Sequence, residues 1–302
     1  MITVYSADHR HQDGRLELID GRLQPPVERP RRAEAVLARV REVGLGAIVD
    51  AEEFGVAPIE RVHDPDYVAF LRTAHDEWRA EHGDGDALPL IWPWRGSRRR
   101  VPEAIDGRLG YYSFDAGTPV TAGTWKAATA SANVALTGAR RLLQRSVGAV
   151  FSLCRPPGHH AARDLYGGYC FLNNAALAAQ RLLDEGTDRV AILDVDYHHG
   201  NGTQAIFYDR SDVLFVSLHA HPAHEFPYFL GYEDETGTGA GEGFNVNLPM
   251  EWGTGWVTYA RSLGKALERI AEYRPGALVV SLGVDTFEGD PISRFRLRTD
   301  DY

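Results

Sequence analysis

Cysteine is scarce: Cys154 and Cys170 are the two among 302 residues. Two thiols cannot build a disulfide framework, and they read as reduced packing residues of a cytoplasmic protein. Long apolar runs are missing too. None approaches the ~18 residues that a bilayer-spanning helix needs, which excludes a membrane-spanning helical protein. The opening residues, MITVYSADHR, lack a basic start followed by an apolar stretch, so no secretory leader is expected. Positive charge is in deficit, with 32 Lys+Arg against 42 Asp+Glu and a net charge of −10. That balance disfavours nucleic acid, which is held largely by Lys and Arg on phosphates. It suits a cationic small molecule better, although it serves equally to keep the protein soluble. Internal repeats, low-complexity segments and a GxS nucleophile elbow are absent as well.

What is present is a chain with ample core, 44% hydrophobic and 25% charged. Apolar runs of strand length alternate with helical patterns. Strands are expected at 2–5, 47–50, 148–153, 189–196, 213–218, 244–248 and 277–285. Helices are expected from Arg31 to Gly44, from an Asp64–Pro65 cap to Glu81, from Thr124 to about Arg145, over 173–185, near 202–208 and over 255–273. Glycines and prolines predict a loop over 6–30 and a long one over 82–123. The latter carries Trp92, Trp94, Tyr111, Tyr112 and Phe114, which favour an ordered, contact-making loop. Its basic run, Arg98-Arg99-Arg100, reads as a solvated face. Continuous apolar strands separated by helices predict a single α/β domain, 1–302, with a mostly parallel sheet covered on both faces.

Three segments carry chemistry where α/β proteins put it, just past the C-terminal ends of strands. In RVAILDVDYHH, Asp194, Asp196 and His198 fall at i, i+2 and i+4, which an extended chain points to one face. Asp285 ends ALVVSLGVD. The loop Arg155-Pro-Pro-Gly-His159-His160 follows GAVFSL and holds two adjacent imidazoles on a stiff turn. Asp196, His198 and Asp285 would give the three-ligand set of a catalytic Zn²⁺. A carboxylate cluster without a cation is costly, so a metal also accounts for their proximity. Read singly, the aspartates are caps for the next helix, His198 a loop histidine, and His159 and His160 surface histidines. Beside a metal, the histidine pair reads as acid–base machinery.

RPPGHHA, GGYCFLNNAA, LDVDYHHGNGTQ and VSLGVDTFEGDPIS, in that order, resemble the histone deacetylase superfamily, and within it the bacterial acetylpolyamine amidohydrolases. The resemblance runs from YSADHR to the last residue and implies the arginase–deacetylase fold. It implies zinc-dependent hydrolysis of the acetyl amide of small acetylated amines, with acetyl-lysine in proteins as the alternative substrate. One Zn²⁺ per chain is implied, with Fe²⁺ possible in the cell. A binuclear, arginase-like centre is not expected, because Gly200 follows two residues after His198. Asp196, His198 and Asp285 match the metal ligands, His160 the general base and acid, and His159 its electrostatic partner. Asp194 matches the residue that orients His159. Asn201 stands where a second orienting residue serves His160; many members carry Asp there, so Asn implies a less basic His160. Gly168 matches the carbonyl that accepts the substrate N–H, and Tyr169 and Phe226 the aromatic tunnel walls. The main chain around Asp194, Asp196, His198, Ser217 and Leu218 matches a structural K⁺ site. The 82–123 segment matches an insertion that narrows the mouth and helps form a homodimer. Glu17 and Asp106, with Asp115 as a third, stand where acids could meet a polyamine ammonium.

One departure stands out. The family's tyrosine donor follows a Gly-rich turn and one more strand, and no Gly-Gly-Tyr follows Asp285 here. Tyr302, after Thr299-Asp300-Asp301, is not expected to replace it. The departure predicts unpaired edges on the strands at 148–153 and 277–285. It also predicts either a natural chain continuing past Tyr302 or a catalytically impaired acetyl-amine-binding homologue.

Overall fold

The computed structural model describes residues 1–19, 21–97, 100–144 and 147–302. They group into two compact units, Met1–Arg181 and Leu182–Tyr302.

In chain order the first unit contains β1 (Ile2–Tyr5), β2 (Glu17–Ile19), β3 (Arg22–Gln24), α1 (Pro30–Glu42), β4 (Ile48–Asp50), α2 (Ala57–Glu60), α3 (Pro65–His82), α4 (Ile105–Tyr111), α5 (Thr124–Leu143) and β5 (Val150–Ser152). Helix α6 (Asn174–Asp184) contains the division between the units. Strand β1 lies between β4 and β5 and is parallel to both, with Thr3 opposite Ile48 and Ile2 opposite Val150. Helix α5 packs on this sheet, and its Val134 carbonyl accepts the Ser152 hydroxyl at 3.3 Å. Gly138 permits the approach: a Cβ there would lie 2.2 Å from Ser152 Oγ.

Two expected loops hold structure. Segment 6–30 contains a 3₁₀ turn, Ala7–His11, and the antiparallel hairpin β2–β3. The signal was the Asp20-Gly21 pair, a hairpin-turn sequence, and Gly21 adopts φ +73°. Segment 82–123 contains α4. Pro65 opens α3 as expected, but Asp64 caps it by position alone; its side chain makes no cap hydrogen bond. Two residues of the basic run, Arg98 and Arg99, and the expected helix end at Arg145 lie outside the described residues.

The second unit contains β6 (Val190–Asp194), α7 (Asn201–Phe207), β7 (Val213–Ala220), β8 (Asn245–Met250), α8 (Trp256–Tyr273) and β9 (Ala277–Ser281). Its sheet is wholly parallel, in the order β8–β7–β6–β9. Strands β6 and β7 are buried throughout, as continuous apolar runs require. Helix α8 closes one face with Tyr259, Ala266, Ile270 and Tyr273, which join Leu193, Leu214, Val216 and Leu218 in the core.

Among the described residues, β5 pairs only with β1 and β9 only with β6, so each has the open edge expected. Strand β9 and the residues after it turn a row of apolar side chains outward: Leu278, Val280, Leu282 and Val284 are 42, 47, 59 and 55% exposed. No helix among the described residues is long and apolar enough to cross a membrane.

Candidate functional site

Strand β6 ends at Asp194, and the chain bends over residues 196–198. The expected alternation of Asp194, Asp196 and His198 along an extended strand is therefore corrected: hydrogen bonds to carboxylates gather them instead. The Asp196 N–H donates to Asp194 Oδ1 at 3.2 Å and the His198 N–H to Asp196 Oδ1 at 2.9 Å. The Tyr197 N–H donates to Asp285 Oδ1 at 2.9 Å, stitching the segment after β6 to the segment after β9. His198 Nδ1 then lies 3.0 Å from Asp285 Oδ2 and 3.3 Å from Asp196 Oδ1. One ligand atom from each of Asp196, His198 and Asp285 falls within 4.8 Å of the others. Glycines make the room: a Cβ on Gly283 would stand 2.2 Å from Asp196 Oδ2, and one on Gly200 2.3 Å from Asp194 Oδ2.

Burial works against a charged His198, but the hydrogen bonds and charges of Asp285 and Asp196 outweigh it and raise its pKa to about 10. Burial, then the charge of Asp196, pushes Asp285 up to about 6. Two carboxylates thus crowd one imidazole and hold a proton among them. An oxygen–oxygen–nitrogen donor set of this kind, largely removed from water, fits a divalent transition ion.

The remaining predicted residues of this unit lie as follows. Asp194 is fully buried and pairs with Ser217 across β6 and β7; Leu218 is buried beside it. The Ser217 hydroxyl lies 2.8 Å from His219 Nδ1. Asn201 is buried at the first residue of α7, and its N–H donates to the His199 carbonyl at 2.8 Å. The Phe226 ring stands 6.0 Å from the His198 ring, edge to face at 78°. Tyr302 is 59% exposed, and its phenol meets the Thr286 hydroxyl at 2.5 Å.

In the first unit, His159 and His160 are buried, with ring centroids 3.9 Å apart. Their turn is pinned by donors to the Pro156 carbonyl, Ser131 Oγ at 2.8 Å and Asn174 Nδ2 at 3.0 Å. Gly168 and Tyr169 are both left-handed, at φ +54° and +65°. Asp115 holds them. It accepts the Gly168 N–H, and its other bonds are from the Gly117 and Thr118 N–H groups, each at 3.0 Å, and the Thr118 hydroxyl at 3.1 Å. Thr118 Oγ1 in turn accepts the Tyr169 N–H at 3.0 Å.

Sequence reasoning named Asp115 as an acid that could meet an ammonium and missed this clamp. Its signal is Asp115-Ala-Gly-Thr118, an aspartate followed two and three residues later by N–H groups that it can cap. Asp115 is therefore engaged within the loop, not presented to solvent as an ammonium ligand. Glu17 has no exposed surface, and Oε1 accepts the Val27 N–H at 2.8 Å. Asp106 is at the surface, in the first turn of α4, 3.1 Å from His82 Nε2. Burial pushes the Cys154 thiol up to about 12, consistent with a packing residue.

This constellation on parallel strands defines a known class. Residues 26–302 match the histone deacetylase domain family, and the chain belongs to it. Acetylpolyamine amidohydrolase 2 of Pseudomonas aeruginosa is 58% identical over all of this chain and 88% of that protein. The acetylpolyamine amidohydrolase of Mycoplana ramosa is 51% identical with the same coverage. The crystal structure of acetylpolyamine aminohydrolase from Burkholderia pseudomallei superposes with a TM-score of 0.94 at 40% identity, over all of this chain and 87% of that one. The HDA15 HD domain superposes at 0.81 with 27% identity, over all of this chain and 79% of that one. The fold is the arginase–deacetylase fold that the motifs implied.

Proposed function

We propose that this chain hydrolyses the acetyl amide of small acetylated amines, acetylpolyamines, to acetate and the free amine. The observation that carries the reading is the Asp196–His198–Asp285 group, closed within 4.8 Å, in a chain 58% identical from end to end to an acetylpolyamine amidohydrolase. These three residues would hold one Zn²⁺, with Fe²⁺ as the alternative for the same donors. The bound ion would supply Lewis-acid activation of the acetyl carbonyl and of the attacking water.

The chain's own residues supply binding and proton transfer. His160 takes the proton from the attacking water and returns it to the amine nitrogen as the C–N bond breaks. His159 supports it electrostatically from 3.9 Å. The family pattern gives Asp194 and Asn201 the task of orienting these histidines. The Gly168 carbonyl accepts the substrate N–H, and the Tyr169 and Phe226 rings each give the alkyl chain an aromatic wall. Main chain around Asp194, Asp196, His198, Ser217 and Leu218 would hold a structural K⁺. Asp106 and the net charge of −10 favour a cationic substrate.

The partner is a second copy of the chain, and Leu90, Ile91 and Trp94 of the insertion, 81, 67 and 74% exposed, support that reading. The compartment is the cytoplasm, which suits two unbridged cysteines.

Acetate release from N-acetylputrescine and from an acetyl-lysine peptide, with Zn²⁺ supplied, tests the reading. Faster release from the small amine is expected. Preference for the peptide, or ligand binding with no acetate from either, overturns it. Sedimentation of the wild type and of Trp94→Glu tests the dimer; equal masses corresponding to one chain overturn it.

A further inference from the structure

Within the first unit lies a cavity of about 10 Å³ lined by Gln12, Glu17, Glu28, Thr118 and Tyr169, among others. Most polar groups around it are committed. The Glu28 carboxylate receives Arg155 Nε and Nη2, each at 2.9 Å. Gln12 Oε1 accepts Thr124 Oγ1 at 2.6 Å, and its Nε2 donates to the Pro119 carbonyl at 3.1 Å. Thr118 Oγ1 is taken by Asp115 and the Tyr169 N–H.

Two groups stand apart. Glu17 Oε2 has no hydrogen-bond partner, in a side chain with no exposed surface. The other is the Tyr169 phenol. The two act on each other: burial raises both pKa values, the Glu17 charge pushes the phenol further up, and the phenol favours the Glu17 carboxylate.

A buried carboxylate is costly where an apolar side chain would serve. A non-glycine residue at φ +65° is also unfavourable unless its surroundings hold it there. Tyr169 is held at its N–H by Thr118, which fixes the backbone but not the far end of the ring.

We propose that Glu17 is a positioning residue for Tyr169. Its second carboxylate oxygen holds the phenol through one water in the cavity that both residues line. It thereby fixes the ring that flanks the substrate's alkyl chain. The inference rests on the proposed function for that last step. It gives Glu17 a task other than contact with a substrate ammonium, which its burial opposes.

The test is a double-mutant cycle on KM and kcat for N-acetylputrescine. Glu17→Gln and Tyr169→Phe are each expected to raise KM by about 3–10-fold, the effect of one net hydrogen bond, with a smaller change in kcat. The double variant should be no worse than the poorer single. Glu17→Leu should lose more, because it also strands the Val27 N–H, and Gln should restore most of the difference. Equal KM effects of Glu17→Gln with and without Tyr169→Phe, or an effect on kcat alone, overturn the proposal. If the wild type releases no acetate, the functional reading has failed, and the positioning claim is read separately. In a 3-fluorotyrosine-labelled chain, Glu17→Gln should shift the ¹⁹F resonance that Tyr169→Phe removes; an unmoved resonance overturns it.

Discussion

A Cβ on Gly168 would stand 2.2 Å from Cδ2 of His160. The glycine and the imidazole share one space, and the backbone at φ +54° independently favours glycine. Gly168→Ala must displace one of them. A displacement of about 1 Å at a reacting group can cost on the order of 100-fold in rate. Acetate release should fall by about that factor while metal content stays at the wild-type level. Wild-type turnover in this variant would refute the close packing.

Asp115 is the hub of the loop that presents Gly168 and Tyr169. Burial raises its pKa, while its bonds from Gly168, Thr118 and Gly117 pull the other way. Asp115→Asn keeps only one acceptor oxygen, and Asp115→Ala keeps none. Losses of about 1–3 kcal/mol are expected for the amide and more for alanine. Urea unfolding measures both, and an unchanged midpoint for alanine would remove the clamp from the account.

Metal uptake should depend on pH with a definite sign. In the metal-free chain His198 keeps a proton up to about pH 10, and Asp285 gains one below about 6. A metal ion must displace these protons, so affinity rises with pH, about tenfold per unit for each proton released. Calorimetry at pH 8 in two buffers of different ionisation enthalpy should report about one proton released per ion. Identical heats in the two buffers would contradict the assignment, and His198→Ala should abolish tight binding.

His63 sets a second pH dependence, this time on stability. Its Nε2 accepts the Asn173 N–H at 2.9 Å and its Nδ1 faces the Ala162 carbonyl at 2.8 Å, which fixes a neutral ring. Burial lowers its pKa to about 4 from an ordinary 6.5. As pH falls, the unfolded chain takes up the proton first. The stabilisation is present above about pH 6.5 and is lost on descent to about 4, amounting to about 3 kcal/mol. Urea titrations at pH 7 and 4.5 should show that loss in the wild type and a smaller one in His63→Asn; parallel curves would contradict it.

Much of this was legible in the sequence, and the reasons are local. Continuous apolar runs marked β6 and β7, because a strand covered on both faces needs no polar alternation. Asp196, His198 and Asp285 were legible because loops after parallel strands gather at one end of a sheet. What the sequence misjudged was how they gather: β6 ends at Asp194, and carboxylate-to-backbone hydrogen bonds do the work assigned to strand alternation. The burial of Glu17 and the Asp115 clamp were not legible, since both depend on partners far along the chain. Asp115 meets Gly168 across 53 positions, and Gln12, which lines the Glu17 cavity, meets Thr124 across 112.

The order of strands in the second unit carries a consequence for how the protein is made. Asp196 and His198 are near neighbours, whereas Asp285 contacts His198 across 87 positions. The pairing of β6 with β9 closes that loop, and non-local parallel pairings of this kind form slowly. On the ribosome, Asp196 and His198 emerge well before Asp285, and the three-residue group cannot close until β9 docks. The three-residue group is therefore assembled late in folding, and its closure reports that β9 has docked on β6.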